Sequence, residues 1–246
     1  MVGTIMGSPR YISNISKDEF EMMSAGFILS ALENAFQTKG DASLFLSGGS
    51  TPGPIYQRLS ETVFPWEKVN IGLVDNRWVN ETDKGSNAAL IRGTLLQSAA
   101  KSAKFTPLKT LHKTAIQGQA EAEQNYHSLL NSPSIALLGM GTDGHVCSWF
   151  PEAKGLAEAI DSKSMNKVQA IQAIPSNVTG AYLERISLTL SALQTFKEIL
   201  LSISGEQKKS ILEGAIAFKS THLPVSHLLA MANAQANNPL TIFHAE

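Results

Sequence analysis

The segment IALLGMGTDGHVCSWFP ends a short apolar run in a loop where Gly139, Gly141 and Gly144 surround Asp143 and His145. A buried strand needs no such loop for packing. A glycine-rich turn that presents Asp and His two residues apart suits general acid–base chemistry. An imidazole is partly neutral near physiological pH, and a carboxylate can orient it or a water. His145 is therefore the candidate base and Asp143 its orienting partner. Cys147 follows at once, but its apolar neighbours Trp149 and Phe150 point to a packed small side chain rather than a nucleophile. His112, His127, His222, His227 and His244 have no comparable setting and no metal-ligand spacing, so no metal is assigned.

Other segments could hold an anion. The apolar run SLFL leads into SGGSTPGPIYQRL. There Gly48 and Gly49 allow close approach of the backbone, and Ser50 and Thr51 add hydroxyl and N–H donors. Pro52 or Pro54 suits the first turn of a following helix. A loop of this kind between strand and helix is a ready anion site, although a tight turn without a ligand has the same look. The run VNIGLV ends in DNRWV, which places Asp75 and Arg77 just past a strand as an edge ion pair or a site. Ser86 and Asn87 suit the cap of the next helix. Arg185 opens RISLTL. Lys208 lies three residues after Gly205 at a helix start, where the helix dipole disfavours a cation and a bound anion would favour it. Lys209 competes for the same role.

These residues need elements to position them. Ser16 and Glu19 form an S-x-x-E capping box, and the apolar periodicity from Phe20 to Phe36 predicts a helix. Short apolar runs predict strands at Ser43–Leu46, Val69–Val74, Ile135–Leu138, Val168–Ile174, Ile186–Leu190, Ile199–Ile203 and Thr241–Phe243. Helical patterns lie between most of them, at Asn87–Leu96, Ala120–Leu130 and Glu206–Ala217. Alternation of this kind predicts an α/β fold: a doubly wound, mostly parallel, Rossmann-like sheet with helices on both faces. Ligands in such sheets bind beyond the carboxyl ends of the strands. No Pro-, Gly- or Ser-rich linker appears, so residues 1–246 are read as one domain.

Composition narrows the function. The apolar share of 43% and charged share of 17% are those of a globular protein. The formal net charge is −1, with no basic arm or acidic tail, so neither a nucleic-acid nor a membrane partner is expected. With one cysteine there is no internal disulfide, and a reducing compartment is the simple reading. The start MVGTIMGSPRYIS lacks the apolar stretch of a signal peptide, and no run is long enough for a transmembrane helix. The expected location is the cytoplasm.

Taken together, LFLSGGSTP, the W-x-x-V-x-I-x-L-V-D-N-R-W-V stretch from Trp66, the Ser86-Asn87 pair, GMGTDGHVCSWFP, RISLTL and GEQK resemble the family of 6-phosphogluconolactonases and glucosamine-6-phosphate isomerases (deaminases). They stand in family order from Leu44 to about Ala217. Two departures stand out. Asn76 occupies a place where the family often has Glu, and Val146-Cys147 stands where small or hydroxylated residues are usual. The SWFP that follows is similar to the lactonase S-x-F-P, whereas the isomerase branch tends to have F-N-E.

The resemblance implies hydrolysis of 6-phospho-D-glucono-1,5-lactone to 6-phosphogluconate in the oxidative pentose phosphate pathway, with no metal or organic cofactor. It implies a water aimed at the carbonyl, with His145 as base and Asp143 orienting it or the water. Arg77 would stabilise the oxyanion or bind sugar, with Asp75 holding Arg77 or a hydroxyl. Gly48, Gly49, Ser50 and Thr51 would seat the phosphate, with Lys208 and Arg185 as countercharges. The rival readings are a deaminase or isomerase of amino-sugar phosphates and a non-catalytic sugar-phosphate-binding module. The expected partner is a small phosphorylated sugar lactone, and the protein would act as a monomer or small homo-oligomer.

Overall fold

The computed structural model describes residues 9–218 and 222–246, the side chain of Phe218 apart. Residues 1–8, part of the stretch read above for a leader, lie outside it.

The main sheet has seven strands in the order β1-β10-β9-β6-β2-β3-β5. They are β1 (Arg10–Ile15), β10 (Leu240–Ala245), β9 (Glu198–Ser204), β6 (Ser134–Leu138), β2 (Ala42–Leu46), β3 (Val69–Leu73) and β5 (Lys104–Phe105). Every pairing in it is parallel. β2 and β6 are buried along their whole length, as continuous apolar runs covered on both faces must be. The register shows the two cover layers. Phe45, Ala136, Ile199 and Leu240 lie side by side, so Phe243, three residues on, points to the opposite face. The Phe45 ring packs on Tyr126 of α4 (Ala115–Leu130), and the Phe243 ring packs on Phe27 of α1 (Lys17–Lys39).

The capping box at the head of α1 is formed as its sequence predicts. The Ser16 side chain accepts from the Glu19 N–H, and the Glu19 carboxylate accepts from the Ser16 N–H. A box of this kind contributes about 1 kcal/mol. Gly40 ends the helix in the left-handed conformation at φ 80°. The remaining helices are α2 (Gly53–Glu61), α3 (Asn87–Thr94), α5 (Leu156–Ile160), α6 (Leu190–Leu193), α7 (Glu206–Phe218) and α8 (Pro224–Asn233).

Two predicted strands leave the main sheet. β7 (Val168–Gln172) and β8 (Glu184–Leu188) join β4 (Asp75–Arg77) in a separate three-stranded sheet, order β4-β8-β7, whose pairings are antiparallel. The reason is the connection. No helix stands between β7 and β8, and without a crossover two consecutive strands pair antiparallel. The predicted Ile186–Leu190 run also shifts, because Thr189 caps α6 and draws Leu190 into that helix. β1, the short strands β4 and β5, and the helices α5, α6 and α8 fall outside the predicted elements.

Candidate active site

The pocket lies beyond the carboxyl ends of the main strands, where a parallel sheet leaves room for a ligand. Its volume is about 230 Å³, suited to one small metabolite. The glycine loop after β2, the turn after β6, the start of α7 and the small sheet all reach it. Gly48, Gly49, Ser50, Thr51, Asp75 and Arg77 line it, as do His145, Arg185 and Lys208. Asp143 stands behind His145 rather than on the wall.

The His145 turn is a local device. A bridge between Met140 and Val146 closes it, and the Gly141 N–H donates to the His145 carbonyl at 2.9 Å. A side chain at Gly141 would overlap the imidazole and come within 2.7 Å of Asp143 Oδ1, so the close approach requires glycine. The Val225 N–H at the head of α8 donates to the Gly144 carbonyl and buttresses the turn from outside. Asp143 Oδ1 lies 2.5 Å from His145 Nδ1 and also accepts from the His145 N–H. Partial burial pushes the Asp143 carboxyl up, but the hydrogen bond and charge of His145 and nearby backbone donors outweigh it, and the group lies below the ordinary carboxylate range. An ionised carboxylate only accepts. Nδ1 therefore carries the ring proton and Nε2 holds the basic lone pair.

The Phe150 ring sits 4.3 Å from the His145 ring on one side, and the Arg185 guanidinium lies 5.1 Å from its centroid. Burial is the main force pulling the Arg185 pKa down, to about 10; Asp75 opposes it and Arg77 adds to it. Arg185 is held by carbonyls: Nε donates to Tyr182 at 2.6 Å and Nη2 to Thr179 at 3.1 Å. Arg77 stands directly opposite it in the β4–β8 register.

Asp75 does not hold Arg77. Its Oδ2 accepts from the Ser148 hydroxyl at 2.6 Å and its Oδ1 from Asn87 Nδ2 at 3.3 Å, which corrects the first of the two roles expected for it. Arg77 Nη1 instead donates to the Gly85 carbonyl at 2.9 Å. Ser86 caps α3, as its position predicts. Asn87 is a buried tether of Asp75 rather than a cap. Asn76 is fully buried and its Oδ1 accepts from the Asn87 N–H, so it binds the head of α3.

The two lysines left open as alternatives stand differently in the structure. Lys209 pairs with Glu206 at 3.5 Å, while Lys208 faces the pocket with no ion pair among the described residues. Burial pulls its ammonium below the ordinary lysine value. Cys147 is buried at φ 53°, and burial pushes its thiol well up, with Asp75 adding to the rise. A thiol so placed is a poor nucleophile. Among the described residues no group of three His, Cys, Asp or Glu side chains stands as metal ligands would. No described helix is long and apolar enough to cross a membrane.

Three pocket residues were not singled out by the sequence. Ser47 and Ser202 line the pocket with buried hydroxyls that have no partner among the described residues, and Met140 lines it as well. Ser202 had a readable signal, a lone polar residue in the middle of the apolar run ILLSI.

Comparison with known proteins places the chain in a family. A family profile described as glucosamine-6-phosphate isomerases/6-phosphogluconolactonase matches residues 15–237. A 6-phosphogluconolactonase of Xylella fastidiosa is 40% identical over 199 residues, 80% of this chain and 81% of that one. One of Rhizobium meliloti is 36% identical over 215 residues, 87% of this chain and 89% of that one. The crystal structure of a 6-phosphogluconolactonase from Shewanella baltica superposes with a TM-score of 0.84 at 35% identity, covering 98% of this chain and 99% of that one.

Proposed function

This chain belongs to the family of glucosamine-6-phosphate isomerases and 6-phosphogluconolactonases, and from that premise we propose that its pocket hydrolyses 6-phospho-D-glucono-1,5-lactone to 6-phosphogluconate, a step of the oxidative pentose phosphate pathway. The observation that carries the reading is the Asp143–His145 pair at the edge of a pocket lined by three cations without ion pairs among the described residues.

His145 Nε2 takes a proton from a water as the water oxygen bonds to the lactone carbonyl carbon. The electron pair of the C=O moves to oxygen, and Arg77 stabilises that oxyanion. Collapse breaks the bond to the ring oxygen, which takes the proton back from His145. Asp143 keeps the imidazole in the reactive tautomer throughout. Asp75, fixed by Ser148 and Asn87, accepts from a sugar hydroxyl. The phosphate sits on Gly48, Gly49, Ser50 and Thr51, with Lys208 and Arg185 as countercharges. The reaction calls for neither a metal nor an organic cofactor. Asn76 bound to α3 leaves Asp75 as the sole carboxylate at that strand end, which favours the lactonase over the isomerase branch.

Residues of both sheets line the one pocket, which supports reading residues 1–246 as a single domain. One chain supplies every group named, which suits a monomer or small homo-oligomer without nucleic-acid or membrane partners. A cytoplasmic location belongs to the same proposal and is supported by the metabolic enzymes to which the chain is similar. The test is an NMR time course of freshly made lactone, with spontaneous hydrolysis subtracted. The phosphorylated lactone should exceed plain gluconolactone in kcat/KM by on the order of a hundredfold or more, the worth of two or three charge-assisted contacts. Equal efficiencies would refute the phosphate seat.

A further inference from the structure

Arg77 and Arg185 stand directly opposite each other in the β4–β8 register, and both line the pocket. Like charges in that relation repel and destabilise a sheet. Neither arginine has an ion pair among the described residues. One residue, Tyr182 in the loop between β7 and β8, touches both. Its ring lies 5.1 Å below the Arg77 guanidinium, and its carbonyl accepts from Arg185 Nε at 2.6 Å.

The ring is itself fixed. The Tyr182 hydroxyl donates to Asp83 Oδ1 at 2.8 Å, and the same oxygen accepts from the Gly85 N–H at 2.7 Å. Gly85 returns its carbonyl to Arg77 Nη1 at 2.9 Å. A side chain at Gly85 would overlap the Tyr182 ring, so the ring lies flat against that backbone. Arg77 is thus bracketed by a ring face and a carbonyl. Its buried Nε has no partner among the described residues and remains as a donor for a ligand.

We propose that Tyr182 is a positioning residue for the lactone reaction, its ring holding Arg77 in the orientation that meets the substrate. The inference rests on the role given to Arg77 above. The ring and carbonyl of Tyr182 are separable by mutation. Substitution removes the face under Arg77 and leaves the backbone grip on Arg185, which serves as an internal control.

The test is a double-mutant cycle of Tyr182→Leu against Arg77→Met, with Tyr182→Phe as the conservative variant. Tyr182→Leu should lower kcat/KM about tenfold, the scale of a cation–π contact in a partly desolvated site. Tyr182→Phe should stay within about threefold, because the ring face survives. In the Arg77→Met background the Tyr182→Leu loss in kcat/KM should disappear, because the ring face then has no guanidinium to hold. An equal loss in both backgrounds would show a merely structural role and overturn the proposal, as would a wild-type rate for Tyr182→Leu. Wild-type efficiency in Arg77→Met alone would instead overturn the role of Arg77, and this inference with it. Should Tyr182→Leu not fold, Tyr182→Met fills similar volume without a ring face and carries the same comparison.

Discussion

The Gly139–His145 turn and the cations across the pocket face one cavity but are built in opposite ways. The turn is seven residues of contiguous chain, closed by a bridge to the next residue, Val146, by its own N–H to carbonyl bond and by a pair of side chains two residues apart. The cations come from three places: β4, β8 and the third residue of α7. Carbonyls nearby in the chain hold both guanidinium groups, and the Tyr182 ring, about a hundred residues from Arg77, packs on Arg77 across the small sheet. The difference teaches that the reactive group is placed by local backbone geometry, while the charges that recognise substrate are placed by tertiary structure. Damage to the first should appear in kcat, and damage to the phosphate countercharges Lys208 and Arg185 in binding.

The largest break in that comparison is removal of the base. His145→Ala should fold normally and lose about 10²–10⁴-fold in kcat, the usual worth of general-base assistance. The check is initial rate on fresh lactone after correction for spontaneous hydrolysis. Next is the turn itself. Gly141→Ala keeps both members of the pair but pushes a methyl into the imidazole. A displaced base should cost about 10²-fold in kcat, as misplacements of about 1 Å do. Product affinity, measured by calorimetry with 6-phosphogluconate, should hardly move, because the anchors lie elsewhere.

The smallest effect sharpens the other side. Burial lowers the Lys208 pKa, so the ammonium is present below that value and is lost as pH rises through it, sooner than for an exposed lysine. Affinity for 6-phosphogluconate should therefore fall about tenfold over that rise, the worth of one charge-assisted contact. Lys208→Arg, whose cation does not titrate there, should flatten the fall. A pH-independent affinity in the unsubstituted enzyme would take Lys208 out of the phosphate seat.

The same division explains what could be read from the chain alone. Asp143 and His145 are legible because the whole device lies within seven residues, and the glycines that allow it are part of the text. The parallel sheet is legible because fully buried strands are continuous apolar runs. Lys208 can be flagged by its awkward place at a helix start, but nothing local separates it from Lys209. That choice depends on which lysine turns to the pocket and which meets Glu206. The second sheet could not be read, since β4 is only three residues long and two of them are charged. Its pairing with β8 spans about a hundred residues of chain. Asp75 shows the limit most plainly. The sequence offers Arg77 as its neighbour, yet the fold supplies Ser148 and Asn87 instead. Tyr182 carries no local signal at all, because its partners Arg77 and Asp83 are about a hundred residues away.

The most direct test of the account is the partition of loss between kcat and KM for His145→Asn and Lys208→Met, measured side by side on the phosphorylated lactone. His145→Asn should lose about 10²–10⁴-fold in kcat with little change in KM. Lys208→Met should raise KM about tenfold, the worth of one charge-assisted contact, with kcat changed far less. A folded His145→Asn enzyme with near wild-type kcat, or a Lys208→Met enzyme whose loss lies wholly in kcat, would contradict the division of labour between the turn and the cations.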